Sequence, residues 1–363
     1  MVRHMLTGEL LRKDGISEGC IEVVDGIITD VFDGPLPNRS DGHIVHEGLI
    51  VPGLIDMHTH LGDHGARGDL PPHLEDAVFP GGVKSRFLEK TTKAGLVRSI
   101  AASLEELRPG VTRILDFREG GLKGLEALQG AVGKGGPVVH ALGRPTSGED
   151  PMAVLQNSAG FGLPCLEPGL EGLRSMARKH GKVFSLHVSE LFRDDMDRAL
   201  DLGPDLMVHM VAGTSDEWAA LSDEGIPVAV CPRSNSAFSI DVPLKAMMDS
   251  GLMMGLGTDN SMNVRQDMFR EMEQAWMLLR KCRVPGSEAS SAVFRMAVGA
   301  SMEGSALWER LPRSTYWWEP DWPKVGGPAH LSVMRMPKND RGKDPIDWIV
   351  RFGHQGSVLF TCP

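Results

Sequence analysis

At 363 residues the chain is longer than one ordinary domain but suits a single large α/β barrel carrying a small appended unit. Its 41% apolar and 24% charged residues, with 43 Gly and 24 Pro, exclude collagen-like, coiled-coil and disordered classes. A formal charge of −10, from 48 acidic and 38 basic side chains, repels nucleic-acid backbones and anionic membranes on average. No nucleic-acid or membrane partner is therefore expected, and a small-molecule substrate is.

From Met1 to Leu11 apolar residues alternate with Arg3, His4, Thr7 and Glu9, which is not the unbroken apolar stretch of a signal peptide. Ile21 to Val24 and Ile27 to Phe32 flank Asp25-Gly26, the pair a type I′ turn requires, and predict a β-hairpin. The apolar run near Gly48 to Ile55 is interrupted by Pro52 and is too short to cross a bilayer. Beyond it, short β-branched runs alternate with helical patterns, the signature of a parallel sheet with crossover helices. Strands are expected to end near His60, Phe117, Gly143, Gly162, His187, His209, Cys231 and Thr258, with the fourth, around Val154 to Gly162, weakly patterned. Helices are expected over Lys84–Leu107, Leu122–Val132, Leu170–His180, Phe192–Leu202, Ser215–Asp223 and Val264–Lys281, where apolar residues recur at three and four.

Eight such units in about 250 residues predict a TIM (β/α)8 barrel over residues 51–324. The C-terminal end returns to β character at His330–Met336, Trp348–Phe352 and Val358–Thr361. Residues 1–50 and 325–363 are therefore expected to meet in a discontinuous small β domain. Trp308, Tyr316, Trp317, Trp318 and Trp322 cluster between the two regions, and packing is their expected role, with a lid or a subunit contact as the other reading. Five scattered cysteines without a C-x-x-C pair argue against a disulfide framework and for a reducing, cytoplasmic setting.

Barrel chemistry sits at the C-terminal strand ends, so polar residues that close apolar runs are informative. Leu49 to His60 ends in His58-Thr59-His60, and a period of two aims both imidazoles inward. His187 closes another strand with Glu190 three residues on, His209 closes the next, and Thr258-Asp259-Asn260 closes the last. Taken singly, each has a bland reading: a hydrogen-bonded core histidine, a helix-opening acid, a cap. Together, in barrel order, they point to a catalytic metal site with an open position, most simply Zn2+, with Fe2+ and Mn2+ left open by ligand softness.

At these residues the sequence resembles the amidohydrolase superfamily, in its deaminase and chlorohydrolase branch. The resemblance rests on Pro52-Gly-Leu-Ile-Asp-Met-His58-Thr-His60, His187-Val-Ser-Glu190, His209, Cys231-Pro-Arg-Ser-Asn235 and Gly257-Thr-Asp259-Asn260, in that order. It implies a TIM barrel with a small β-sandwich built from both chain ends. It makes His58, His60, His187 and Asp259 the ligands of one divalent metal, with His209 holding a water on it and Glu190 shuttling protons. The activity implied is hydroxide attack on a heteroaromatic carbon with release of ammonia. Cyclic-amide or carbon–halogen hydrolysis with the same site is the alternative, and a non-catalytic ligand-binding barrel is a third reading. No Lys lies between Pro151 and Pro164 to bridge a second metal by carboxylation, which points to one ion. Dimers are common in the resembling family, so a homodimer is an expectation here.

Arg118 and Glu119 after the second strand, Arg144 after the third, and Arg233 and Asn235 after the seventh lie on the face where substrate would sit. Each has a competing reading as part of a loop-tying salt-bridge network.

Overall fold

The computed structural model describes residues 2–36, 42–68, 70–133, 135–311 and 322–363. The chain enters through β1 (Arg3–Arg12), β2 (Gly15–Val24), β3 (Ile27–Asp33) and β4 (Ile44–Pro52). The β2–β3 turn is the expected one, with Asp25 at φ 49° and Gly26 at φ 85°; two consecutive positive φ values suit the twist of the hairpin.

After Gly53 comes a nine-strand parallel sheet: β5 (Leu54–His60), β6 (Val111–Arg118), β7 (Val138–Gly143), β8 (Gly160–Leu163), β9 (Val183–Val188), β10 (Leu206–His209), β11 (Val228–Val230), β12 (Met254–Leu256) and β13 (Asp259–Asn260). The expected strand ends match it within a few residues. Every residue of β5 and β6 is buried, as a parallel strand covered on both faces must be. The spatial order is β12-β11-β10-β9-β8-β7-β6-β5-β13. Because β12 and β13 belong to one run of chain, Met254 to Asn260 closes the sheet: its start pairs with β11, and its end pairs Asp259 with Thr59 and Asn260 with His60. The result is a TIM-like α/β barrel.

The last strands, β14 (Leu331–Met334) and β15 (Val358–Cys362), join the first four in one sheet ordered β15-β14-β4-β1-β2-β3. Both chain ends thus share a six-stranded sheet, and β4 leads directly into β5 through Gly53, whose N–H donates to the His330 carbonyl at 2.9 Å.

Some elements differ from expectation. Trp348–Phe352 is not a strand but the end of the helix Pro345–Phe352. Asp344 caps it, accepting from the Ile346 and Asp347 amides, and Pro345 supplies a preset φ at the first turn; this local start outweighs the β-branched composition. Likewise Val154 to Gln156 lie in the Asp150-capped helix Pro151–Gln156, and the fourth barrel strand begins only at Gly160. The long helical stretch from Lys84 is two helices, Val83–Lys90 and Lys93–Leu107, the second capped by Thr92. Trp308 and Trp322 are buried; Tyr316, Trp317 and Trp318 lie outside the described residues. All five cysteines are free thiols. No helix among the described residues is long and apolar enough to cross a membrane.

The barrel seam leaves no room beside Gly257, where an added Cβ would stand 2.8 Å from the His58 carbonyl oxygen and 3.0 Å from its nitrogen. Gly257→Ala is expected to destabilise the fold by about 1–3 kcal/mol, the usual cost of overpacking, read by chemical denaturation.

Candidate metal centre

Four imidazoles meet at the C-terminal mouth of the barrel. Ring centroids of His58 lie 4.8 Å from those of both His60 and His187 and 5.8 Å from that of His209, and His187 is 5.4 Å from His209. Asp259 enters from the seam: its Oδ1 is 3.1 Å from His58 Nε2 and 3.6 Å from His60 Nε2, while Ser234 Oγ donates to Oδ2. Ligand atoms of His58, His60 and His187, and of His58, His209 and Asp259, fall within 4.8 Å of one another. Alternation along β5 puts Thr59 outward, where its hydroxyl donates to the Asp259 carbonyl at 3.0 Å and holds the seam.

The backbone is strained where these side chains leave the strands. Ser189, His209, Met210 and Asp259 all have positive φ, at 51°, 73°, 55° and 58°. Left-handed non-glycine residues cost of order 1 kcal/mol or more each and gather at functional sites.

Burial and mutual charge set the protonation states. Burial drives His58 down to about 3 against the pull of Asp259. Burial and then the neighbouring imidazoles hold His187 well below its usual value. Burial alone would raise Asp259, but its bond to His58 and the surrounding imidazoles pull it well below the ordinary carboxylate range. His58 and His187 are therefore neutral nitrogen donors beside an anionic carboxylate.

Beside the cluster, Glu190 Oε2 lies 3.3 Å from His209 Nε2, and Asn235 Nδ2 donates to Glu190 Oε1 at 3.0 Å. Burial is the main cause of a raised pKa at Glu190, with the Asp259 charge adding to it and His209 opposing.

The other sequence candidates are placed differently. Arg118 is fully buried, with Nη2 donating to Glu119 Oε2 at 2.8 Å and Nη1 3.4 Å from Asp116 Oδ2. Arg233 reaches Glu271 Oε1 at 3.2 Å and the Arg265 carbonyl at 2.8 Å. Glu119 turns inward, its Oε1 2.7 Å from His60 Nδ1, and Arg144 Nη2 stands 3.9 Å from that same oxygen. The structure adds Lys84, which the sequence reading did not select as a site residue. Lys84 Nζ bridges Glu119 Oε1 at 2.6 Å and Asp63 Oδ2 at 2.8 Å. No spacing signal connects Lys84 to Glu119; only the excursion after β5 brings them together.

A cavity of about 710 Å3 lies at the other end of the barrel, lined among others by His4, Arg108, Val111 and Phe360. It is remote from the imidazoles. Lys182, just before β9, gives its ammonium to the Leu155 and Ser158 carbonyls, and β8 contains no lysine.

The donor set fits a divalent metal. His187 Nδ1 lies 2.7 Å from the Leu163 carbonyl, a bond that places its proton there and leaves Nε2 a free lone pair. The buried Nδ1 atoms of His58 and His209 have no hydrogen-bond partner among the described residues, and such atoms are expected to be satisfied. Three or more imidazoles with a carboxylate are the ligand chemistry of catalytic zinc-type ions.

A parallel barrel with such a donor cluster at its C-terminal mouth has the makings of a metal-binding enzyme site. A sequence profile of the amidohydrolase family matches residues 168–297. A relative from Methanothermobacter thermautotrophicus that carries an aminohydrolase name is 31% identical over 293 residues, spanning 72% of this chain and 75% of the relative. A 5-methylthioadenosine/S-adenosylhomocysteine deaminase from Thermococcus onnurineus is 27% identical over 298 residues, 69% of this chain and 68% of that protein. Among solved structures, a zinc-bound adenosine deaminase from Xanthomonas campestris superimposes with a TM-score of 0.73 at 17% identity, over 98% of this chain and 90% of that one. The chain belongs to the amidohydrolase family, hydrolases of carbon–nitrogen bonds.

A ligand bound only to the folded state stabilises it by about 2.7 kcal/mol at a hundredfold excess over its Kd. Zn2+ is expected to raise the melting temperature of the chelator-stripped protein, and His58→Ala to abolish most of that rise, measured by calorimetry.

Proposed function

We propose that the protein is a metal-dependent aminohydrolase that removes an exocyclic amine from a heteroaromatic ring of purine, pyrimidine, pterin or triazine type and releases ammonia. The observation that carries this reading is the placement of Glu190, with its raised pKa, beside a four-imidazole and carboxylate cluster. The family membership and the deaminase names of relatives support it. We assign the ion to His58, His60, His187 and Asp259, with zinc as its identity and iron as the alternative. When bound, it supplies Lewis acidity and lowers the pKa of a water it holds to about 7.

The protein's own groups divide the proton transfers. Asp259, kept anionic by its neighbours, accepts the water proton through the carboxylate that Ser234 and His58 orient. His209 steers the attacking oxygen. Glu190 in its protonated form donates to the ring nitrogen next to the amine-bearing carbon, so charge does not accumulate on the ring as water adds. Asn235 holds Glu190 in place; the amine then takes the proton held by Asp259 and departs as ammonia, while the hydroxyl proton of the adduct passes to Glu190 as the C=O bond forms, which restores both carboxyl groups. We assign this chemistry to residues 51–324, and residues 1–50 with 325–363 to a small β-sandwich domain.

Ammonia release from a panel of aminated heterocycles tests the reading. Glu190→Gln is expected to abolish turnover while the ion is retained; full turnover in that variant would refute the proton-donor role. Since Glu190 works only when protonated, kcat is expected to fall as pH rises through its raised pKa, at a pH above the ordinary carboxylate range. Asn235→Ala is expected to lower kcat roughly 10-fold, a part of the roughly 10²–10⁴-fold that general acid catalysis contributes, with little change in KM.

A further inference from the structure

Glu119 is heavily engaged. Its Oε1 faces His60 Nδ1 at 2.7 Å and Lys84 Nζ at 2.6 Å, and its Oε2 accepts from Arg118 at 2.8 Å. Lys84 continues to Asp63 Oδ2 at 2.8 Å, and the Asn260 side chain donates to that same oxygen at 2.8 Å. Side-chain exposure is 9% for Lys84, 6% for Glu119 and 0% for Asp63. Taking an ammonium and two carboxylates out of water carries a large desolvation cost, and apolar side chains could fill the same volume. The chain of contacts ends on a ring nitrogen of His60, whose other nitrogen faces Asp259 at 3.6 Å.

A histidine that ligates through one nitrogen needs the proton on the other held by an acceptor; this fixes the tautomer and ring plane and makes the ligating nitrogen more basic. For His187 the acceptor is the Leu163 carbonyl, already fixed by the strand. For His60 the Phe117 carbonyl meets Nδ1 at 3.3 Å, and the Glu119 carboxylate stands nearer that nitrogen, at 2.7 Å, as an ion-pair contact. A side-chain carboxylate serves only if something stops it rotating, and here Lys84 and Arg118 each grip one of its oxygens.

We propose that Lys84 and Glu119 are positioning residues for the metal centre: the Lys84 ammonium locks Glu119, and Glu119 accepts a hydrogen bond from His60 Nδ1–H, so that Nε2 presents its lone pair to the ion. This rests on the metal-site reading given above. It also gives a role to the helix Val83–Lys90, which delivers Lys84 from the long excursion after β5.

Zinc affinity of the demetallated full chain, measured by competition with a chromogenic chelator, tests the unit. Glu119→Gln and Lys84→Met are each expected to weaken Zn2+ binding about 10-fold or more, whereas Lys84→Arg, which keeps the charge, is expected to stay within about threefold of the wild type. At saturating Co2+, where loading is complete, the visible ligand-field spectrum of Glu119→Gln is expected to differ from that of the wild type. Should Lys84→Met not fold, the near-isosteric Glu119→Gln carries the same comparison. Wild-type uptake of zinc with unchanged affinity in the folded variants overturns the positioning unit alone; no uptake by the wild type overturns both it and the reading it serves.

Discussion

The seam between the last and first barrel strands is the constraint on which the centre depends. Asp259 reaches His58 and His60 only because Met254 to Asn260 crosses from β11 to β5, with Asp259 in register with Thr59. Gly257 allows the close approach, and the Thr59 hydroxyl fixes the carbonyl of Asp259 itself. Three histidines and the acid therefore converge by closure of the sheet, with no dedicated loop needed. The left-handed backbone at Asp259 and His209 is the local cost of turning these side chains over the mouth.

Burial acts on His58, His187, Asp259 and Glu190 alike, yet it leaves them in different states. It keeps His58 and His187 neutral and thus able to donate a lone pair. It leaves Asp259 anionic, because the imidazoles around it outweigh the desolvation penalty. It favours a proton on Glu190, where the compensating contacts are fewer. One environment therefore holds neutral imidazoles, an anionic carboxylate and a carboxyl that favours its proton within a few ångströms, the separation of states on which the proposed acid–base chemistry draws.

Much of this was legible in the sequence. A parallel strand writes itself as an apolar run, and a barrel gives the residue closing each run a common address, so His58, His60, His187, His209 and Asp259 could be read together. Contacts made by excursions between elements could not. Lys84 and Glu119 meet across 35 positions with no periodic relation, and Arg118, on the substrate-facing side by strand order, folds back onto Asp116 and Glu119. Trp348–Phe352 shows the other limit: a short apolar run fits either period, and the Asp344-Pro345 cap decides. Tertiary charge pairing and local capping act below what alternation of apolar residues can record.

The shared sheet also shapes how the molecule must be made. β4 feeds the His-x-His strand and pairs on one side with β1, but its other neighbour, β14, is translated some 280 residues later. Until Leu331–Met334 has left the ribosome, that edge of β4 carries unmatched amides and carbonyls, an invitation to pair with another nascent chain. Assembly of the imidazole-bearing end is thereby coupled to arrival of the final strands.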